Sequence, residues 1–155
     1  FVRERCQPKV KAFDHSRAEN SRPDPGVVSA IRAARTIVLC PSNPFISIGP
    51  ILAVPGIKEA MEESQGLVVG VSPIVEGRAV KGPVGKMLRE LGQPVSAVSV
   101  ASIYQDVLDV FVLDKRDAKH ASAIECLGMR AVVTDTLMET GSVKRELARV
   151  VLELT

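Results

Sequence analysis

The chain has 155 residues, 46% of them hydrophobic, 25% charged and 3% aromatic, with a net charge of +2. That balance fits a single globular unit large enough to bury a core, and no apolar run nears the roughly 20 residues that a membrane-spanning helix needs. Lys and Arg are interleaved with Asp and Glu, Tyr104 is the sole Tyr and Trp is absent, so nothing offers a basic, aromatic-lined surface to nucleic acid.

Residues 1–26 read as a polar, uneven amino-terminal segment ahead of an α/β unit at 27–155. FVRERCQPKVK is basic but has no apolar core of a secretory signal, so the protein is expected in the cytoplasm. It opens with Phe rather than Met, as a processed chain or a fragment would. Within the segment, KVKAF is expected as a short strand and DHSRAENSRPDPG as a loop. Pro25-Gly26 opens a short helix through Val27, Val28, Ile31 and Ala34. RTIVLC is a β-branched run and reads as a buried strand. GPILAVPGIKEAMEES is helical in two pieces, broken near Pro55-Gly56. GLVVGVS is the next buried strand, and GPVGKMLRELG is a helix with Pro83 in its first turn and Gly92 at its end. A helix entered at Pro94, a strand in VLDVFVLD, a helix ending at Gly128 and a strand in MRAVVTD follow. GSVKRELARVVLEL is the last helix, with Ser142 as its N-cap and Val143, Leu147, Val150 and Val151 on one stripe.

Strands that alternate with helices and read as continuous apolar runs predict an α/β, Rossmann-like fold. The expected arrangement is a doubly wound, mostly parallel sheet with helices on both faces. Cys6, Cys40 and Cys126 are odd in number and form no C-x-x-C, so neither a disulfide framework nor a zinc site is expected. Cys40 and Cys126 read as core residues, and His15 and His120 as solvated surface positions. The residue pattern itself names no metal ligand.

In such sheets ligands bind beyond the carboxyl ends of the strands. Four polar segments fall there: PSNPFIS, SPIVEGRAVKGP, DKRDAK and TDT. Pro41 and Pro44 hold Ser42 and Asn43 extended. Ser47, Ile48 and Gly49 then lead into a helix whose free N–H groups could receive a phosphate. A plain turn with an N-cap serine would use the same residues. In the second segment Gly77 and Gly82 permit close backbone approach, and Lys81 precedes a helix start, a reasonable anion site or simply an exposed Lys on a hairpin-like loop. Asp135 could meet a metal, a ribose hydroxyl or the following turn's N–H. No P-loop or G-x-G-x-x-G is present.

PSNPFISIGPILAVPGI, VSPIVEGRAVKGP and VVTDTLM, in that order, resemble the carboxyl-terminal half of phospholactate transferases of the CofD/FbiA type. The likeness runs from FVRERCQP through YQDVLDVFVLD to the end. It implies a transferase of coenzyme F-420 synthesis. Such an enzyme moves 2-phospholactate, or phosphoenolpyruvate, from a guanosine diphosphate-linked donor to the hydroxyl of the deazaflavin Fo, releasing GMP with magnesium assistance. It also implies a homodimer. By position, the resemblance places Ser42, Asn43, Pro44, Ser47, Ile48 and Gly49 near Fo or the donor phosphates. It places Ser72, Pro73 and Ile74 near the Fo ring and ribityl chain, Lys81 as phosphate neutraliser beside Gly82, and Asp135 and Thr136 at a late strand exit.

Two departures from the family pattern bear on this. Many members have Gly where Glu76 stands, and a carboxylate there must point outward. The family's Gly-rich opening and upstream aspartates, which hold nucleotide and magnesium, have no match here, so the chain by itself is expected not to turn over. The alternative is a non-catalytic, nucleotide-sugar-binding regulator on a related scaffold, and a third reading is a folded remnant that binds nothing.

Overall fold

The computed structural model describes residues 1 and 3–154. Val2, within the FVRERCQP match, and Thr155, the last residue of the expected α/β unit, lie outside the described residues. Helices α1 (Ser16–Glu19) and α2 (Pro25–Ala33) precede the sheet. Asp24 caps α2 by accepting the Gly26 N–H, and Pro25 stands at the first helical position, where its missing N–H costs nothing. The strand expected over KVKAF does not form. These residues form an arm without regular structure, tied to a helix by the Val10 N–H donating to Glu90 Oε2 at 2.9 Å.

Strand β1 (Thr36–Leu39) is followed by a π-helical turn at Pro44–Ile48, then α3 (Gly49–Leu52) and α4 (Ile57–Glu62). Gly56, at φ +90°, makes the break between those two helices, a conformation that suits glycine. Strand β2 (Leu67–Val71) leads into a small hairpin, β3 (Ile74–Val75) and β4 (Arg78–Ala79). Its two-residue loop holds Glu76 at φ 49° and Gly77 at φ 70°, the positive-φ pair a tight hairpin demands. Helices α5 (Val84–Glu90) and α6 (Ala97–Ile103), strand β5 (Val110–Asp114), a 3-10 turn (Lys115–His120), α7 (Ala121–Glu125), β6 (Arg130–Thr134) and α8 (Gly141–Leu152) complete the chain.

The four main strands are all parallel, in the order β1-β2-β5-β6. This is the expected α/β, Rossmann-like arrangement. Alternate residues divide the sheet's two faces. Leu39, Val68, Phe111 and Leu113 pack beneath α2 to α7 in the larger core. Burying one such side chain, Phe111 for example, contributes roughly 1.5–3 kcal/mol. Gly70 lies on this face, and Leu108 occupies the space a Cβ there would need. On the other face Val69, Val71, Val110 and Val112 form a smaller core with Leu147 and Val151 of α8, the helix that covers this face among the described residues. Thr140, not Ser142, caps α8: its hydroxyl accepts the Val143 N–H at 3.3 Å, with Ser142 already inside the first turn.

One helix cannot reach across that second face. Val38, on β1, is therefore 41% exposed, and Cys40 beyond it is exposed rather than a core residue. Cys126 is exposed too, so both cysteine expectations are corrected. No helix among the described residues is long and apolar enough to cross a membrane.

Candidate functional site

At the carboxyl end of the sheet a cleft of about 510 Å³ opens between three chain segments. The exit of β1 contributes Pro41, Ser42, Asn43, Ile46 and Ser47. The β2 exit and the hairpin contribute Ser72, Pro73, Val80, Lys81, Gly82 and Pro83. The exit of β6 contributes Thr136, Leu137, Met138 and Glu139. A larger groove, about 790 Å³, lies at the amino ends of the strands between Arg35, Gly66 and Asp109. Parallel sheets place ligands at the opposite end, where strand exits converge, so the smaller cleft is the candidate site.

Asn43 starts the first wall. Its Oδ1 accepts the N–H groups of Phe45 at 2.9 Å and Ile46 at 3.2 Å, and its Nδ2 donates to Met87 Sδ at 3.2 Å. The side chain thus caps the π-helical turn and ties it to α5. The N–H groups of Ser47 and Ile48 both go to the Asn43 carbonyl, and that of Gly49 goes to Pro44. The expectation that this segment offers free N–H groups to a phosphate is corrected. The helix begins at Pro44, several residues earlier than expected, and every such donor is spent inside it.

The second wall is fixed by Ser72, which is 1% exposed. Its hydroxyl donates to the Ile74 carbonyl at 2.8 Å and accepts the Ile74 N–H at 3.1 Å, closing the turn into the hairpin. Buried Asp117 accepts the Glu76 N–H at 2.9 Å and so supports the hairpin loop from below. The Glu76 carboxylate points away from the cleft, 66% exposed and 3.9 Å from Arg116. The anion-repelling arrangement that its charge would create does not arise.

Thr136 carries the third wall. Both its N–H and its hydroxyl donate to Asp114 Oδ2, at 2.9 and 3.2 Å. Burial alone would raise the Asp114 carboxyl, but the N–H groups of Arg116 and Thr136, the Thr136 hydroxyl and the Arg116 charge outweigh it. The net effect holds this group below the usual carboxylate range. Asp135 faces elsewhere: it pairs with Lys115 at 2.7 Å and accepts the Leu137 N–H, the turn-capping role weighed against a ligand role.

Of the residues singled out in the sequence, Ser42, Asn43, Ser47, Ser72, Pro73, Lys81, Gly82 and Thr136 line this one cleft. Pro44, Ile48, Gly49, Ile74 and Asp135 do not. Sequence reasoning missed Ile46, Val80, Leu137 and Met138, which give the cleft apolar walls. Ile46, Val80 and Met138 are 44%, 54% and 40% exposed there. The available signal was large apolar residues set within polar strand exits, where a core has no use for them. Asp114, the anchor of the third wall, was also missed. Lys81 is exposed and has no ion-pair partner among the described residues. Among those residues no group of three or more His, Cys, Asp and Glu side chains could hold a metal ion.

The family model described as 2-phospho-L-lactate transferase CofD matches residues 1–152. The chain belongs to the CofD family. A 2-phospho-L-lactate transferase of Methanosarcina mazei is 39% identical over 153 residues, 99% of this chain and 50% of that protein. A phosphoenolpyruvate transferase of Streptomyces griseus is 39% identical over 155 residues, 99% of this chain and 49% of that protein. The chain thus spans about half the length of the curated CofD relatives it matches. In fold it is similar to a Bacillus halodurans crystal structure with a TM-score of 0.59 at 18% identity, over 86% of this chain and 48% of that one.

Proposed function

We propose that the cleft forms part of the substrate site of a transferase of coenzyme F-420 synthesis. The reaction moves 2-phospholactate or phosphoenolpyruvate from a guanosine diphosphate-linked donor to the hydroxyl of the deazaflavin Fo. That oxygen attacks the phosphorus bearing the three-carbon acid, and the bond from this phosphorus to GMP breaks. Such transfers need positioning and charge neutralisation more than covalent help from the protein.

One observation supports the reading above the others: Lys81, without an ion-pair partner among the described residues, shares a cleft with the exposed apolar side chains of Ile46, Val80 and Met138. A cation beside apolar walls suits a ligand with a flat aromatic end and an anionic end, as Fo and the donor together present. Ser42 and Ser47 add polar residues to the same lining. Magnesium, implied by the same resemblance, does not fit this donor set, which offers Glu139 as the cleft's one carboxylate. No step here runs through the metal. Its ligands, the GMP pocket and the partner of a homodimer belong, on this reading, to the whole protein.

The test is a fluorescence titration of the chain with Fo, alongside titrations with GMP and with a nucleotide sugar. Saturable Fo binding is expected, with no response to the sugar. A flat Fo titration with saturable nucleotide-sugar binding would replace this reading with the regulator.

A further inference from the structure

The π-helical turn Pro44–Ile48 has an unfinished hydrogen-bond ladder. Its bonds run five residues back: the Ile48 N–H to the Asn43 carbonyl at 3.0 Å, and the Gly49 N–H to the Pro44 carbonyl. The next donor in that register would be residue 50, aimed at the Phe45 carbonyl. Residue 50 is Pro and has no N–H. The carbonyl would be left an orphan acceptor, at the cost of an unmade bond.

His15 of the amino-terminal arm supplies the missing donor. Its Nε2 lies 2.9 Å from the Phe45 carbonyl oxygen, which can only accept, so the ring carries its proton on Nε2. Two further contacts fix this placement. Phe13 stacks on Phe45 with ring centroids 4.8 Å apart and planes 4° from parallel. Gly49 leaves the room, since a Cβ there would stand 2.8 Å from His15 Cε1. The arm is held at its other end as well, by Lys86 donating to the Pro8 carbonyl at 2.7 Å and by the Val10 bond to Glu90. His15 was expected as a solvated surface residue; it is half-buried and engaged.

The turn that the arm completes is the one that projects Ile46 and Ser47 into the cleft. Its opposite side is held by Asn43 through Met87. We infer that Phe13 and His15 are positioning residues for the substrate site: they touch no ligand, and they set where Ile46 and Ser47 stand. Short π-helical turns cost hydrogen-bond geometry and recur at functional sites, which fits a segment that needs outside support to keep its shape. The inference rests on the cleft being the Fo site.

The experiment compares His15→Ala, His15→Gln and Phe13→Ala with the parent chain, well below the melting temperature. Fo affinity should fall about five- to tenfold in His15→Ala and Phe13→Ala, as Ile46 and Ser47 lose their placement. His15→Gln, which restores a donor, should return to within about twofold. Amide exchange at Ser47 and Ile48 should accelerate in the two Ala variants while β5 stays protected. Lower melting temperatures with unchanged Fo affinity and unchanged exchange at Ser47 would overturn the inference, since the arm would then serve stability alone. If the parent chain binds no Fo, the functional reading fails by itself. The exchange data then decide this inference: unaltered rates at Ser47 and Ile48 in His15→Ala would sink it.

Discussion

The Asp114 carboxylate receives both the backbone N–H and the hydroxyl of Thr136, a residue 22 positions along the chain. It lies at the end of β5, fully buried, and ties the exit of β6 to its neighbour. Because the folded protein holds this carboxyl below its ordinary value of 3.8, it adds stability that is complete above that value. The contribution is lost as the pH falls through the lower folded value. Asp114→Asn should destabilise the protein by about 1–3 kcal/mol at neutral pH. The difference from the parent should shrink toward pH 3, as urea unfolding at the two pH values would measure. An equal difference at both pH values would contradict the argument.

Gly49 is packed between a carbonyl and a ring. An added Cβ would lie 2.7 Å from the Pro44 oxygen and 2.8 Å from His15 Cε1. Gly49→Ala must displace the π-helical turn or the arm, and should cost about 1–3 kcal/mol. Thermal melting of the variant reads this directly. A melting temperature equal to the parent's would show that the turn yields freely.

Among the described residues the Tyr104 hydroxyl is a buried side-chain group with no hydrogen-bond partner. The residue is 5% exposed, and burial pushes the phenol upward from its ordinary value. The ring belongs to the larger core. Tyr104→Phe removes only the unsatisfied oxygen and should stabilise the fold by about 1 kcal/mol. Equilibrium denaturation with an unchanged slope and a higher midpoint is the expected result. A lower midpoint would mean that the hydroxyl has a partner in solution.

Lys81 is the cleft's cation. Lys81→Ala should weaken binding of the phosphate-bearing donor by about 1.5–3 kcal/mol, the range for a hydrogen bond to a charged group. Lys81→Arg should retain part of it, and added salt should weaken the parent more than the Ala variant. Calorimetry at two ionic strengths checks both statements. An Ala variant that binds as tightly as the parent would remove Lys81 from the site.

The fold was legible because its strands are mostly apolar runs rich in β-branched residues, separated by Gly and Pro. Those features fix a parallel sheet without reference to anything distant in the chain. Local punctuation was equally readable: Gly56 breaks the helix as expected, and Asn43 is extended as Pro44 requires. Long-range completion was not readable. Nothing near Phe45 in sequence announces that Pro50 leaves its carbonyl unfilled, or that His15, 30 residues earlier, fills it. The same blindness hid Asp114, whose partners depend on which strand lies beside β5. KVKAF has strand-forming residues but no strand beside it among the described residues, so its pattern misled.

The bare flank of β1 bears on how the protein behaves in the tube. Among the described residues Thr36–Leu39 is paired on one side only, holds neither charge nor proline, and shows Val38 to solvent. Natural sheets blunt such borders with lysine, proline or a bulge. Where such an edge meets solvent it can template strand-to-strand association between molecules, and Cys40 just past it can lock that association as a disulfide in air. Concentrated samples will keep best under reductant, and a lysine substituted for Val38 should raise the concentration at which light scattering sets in.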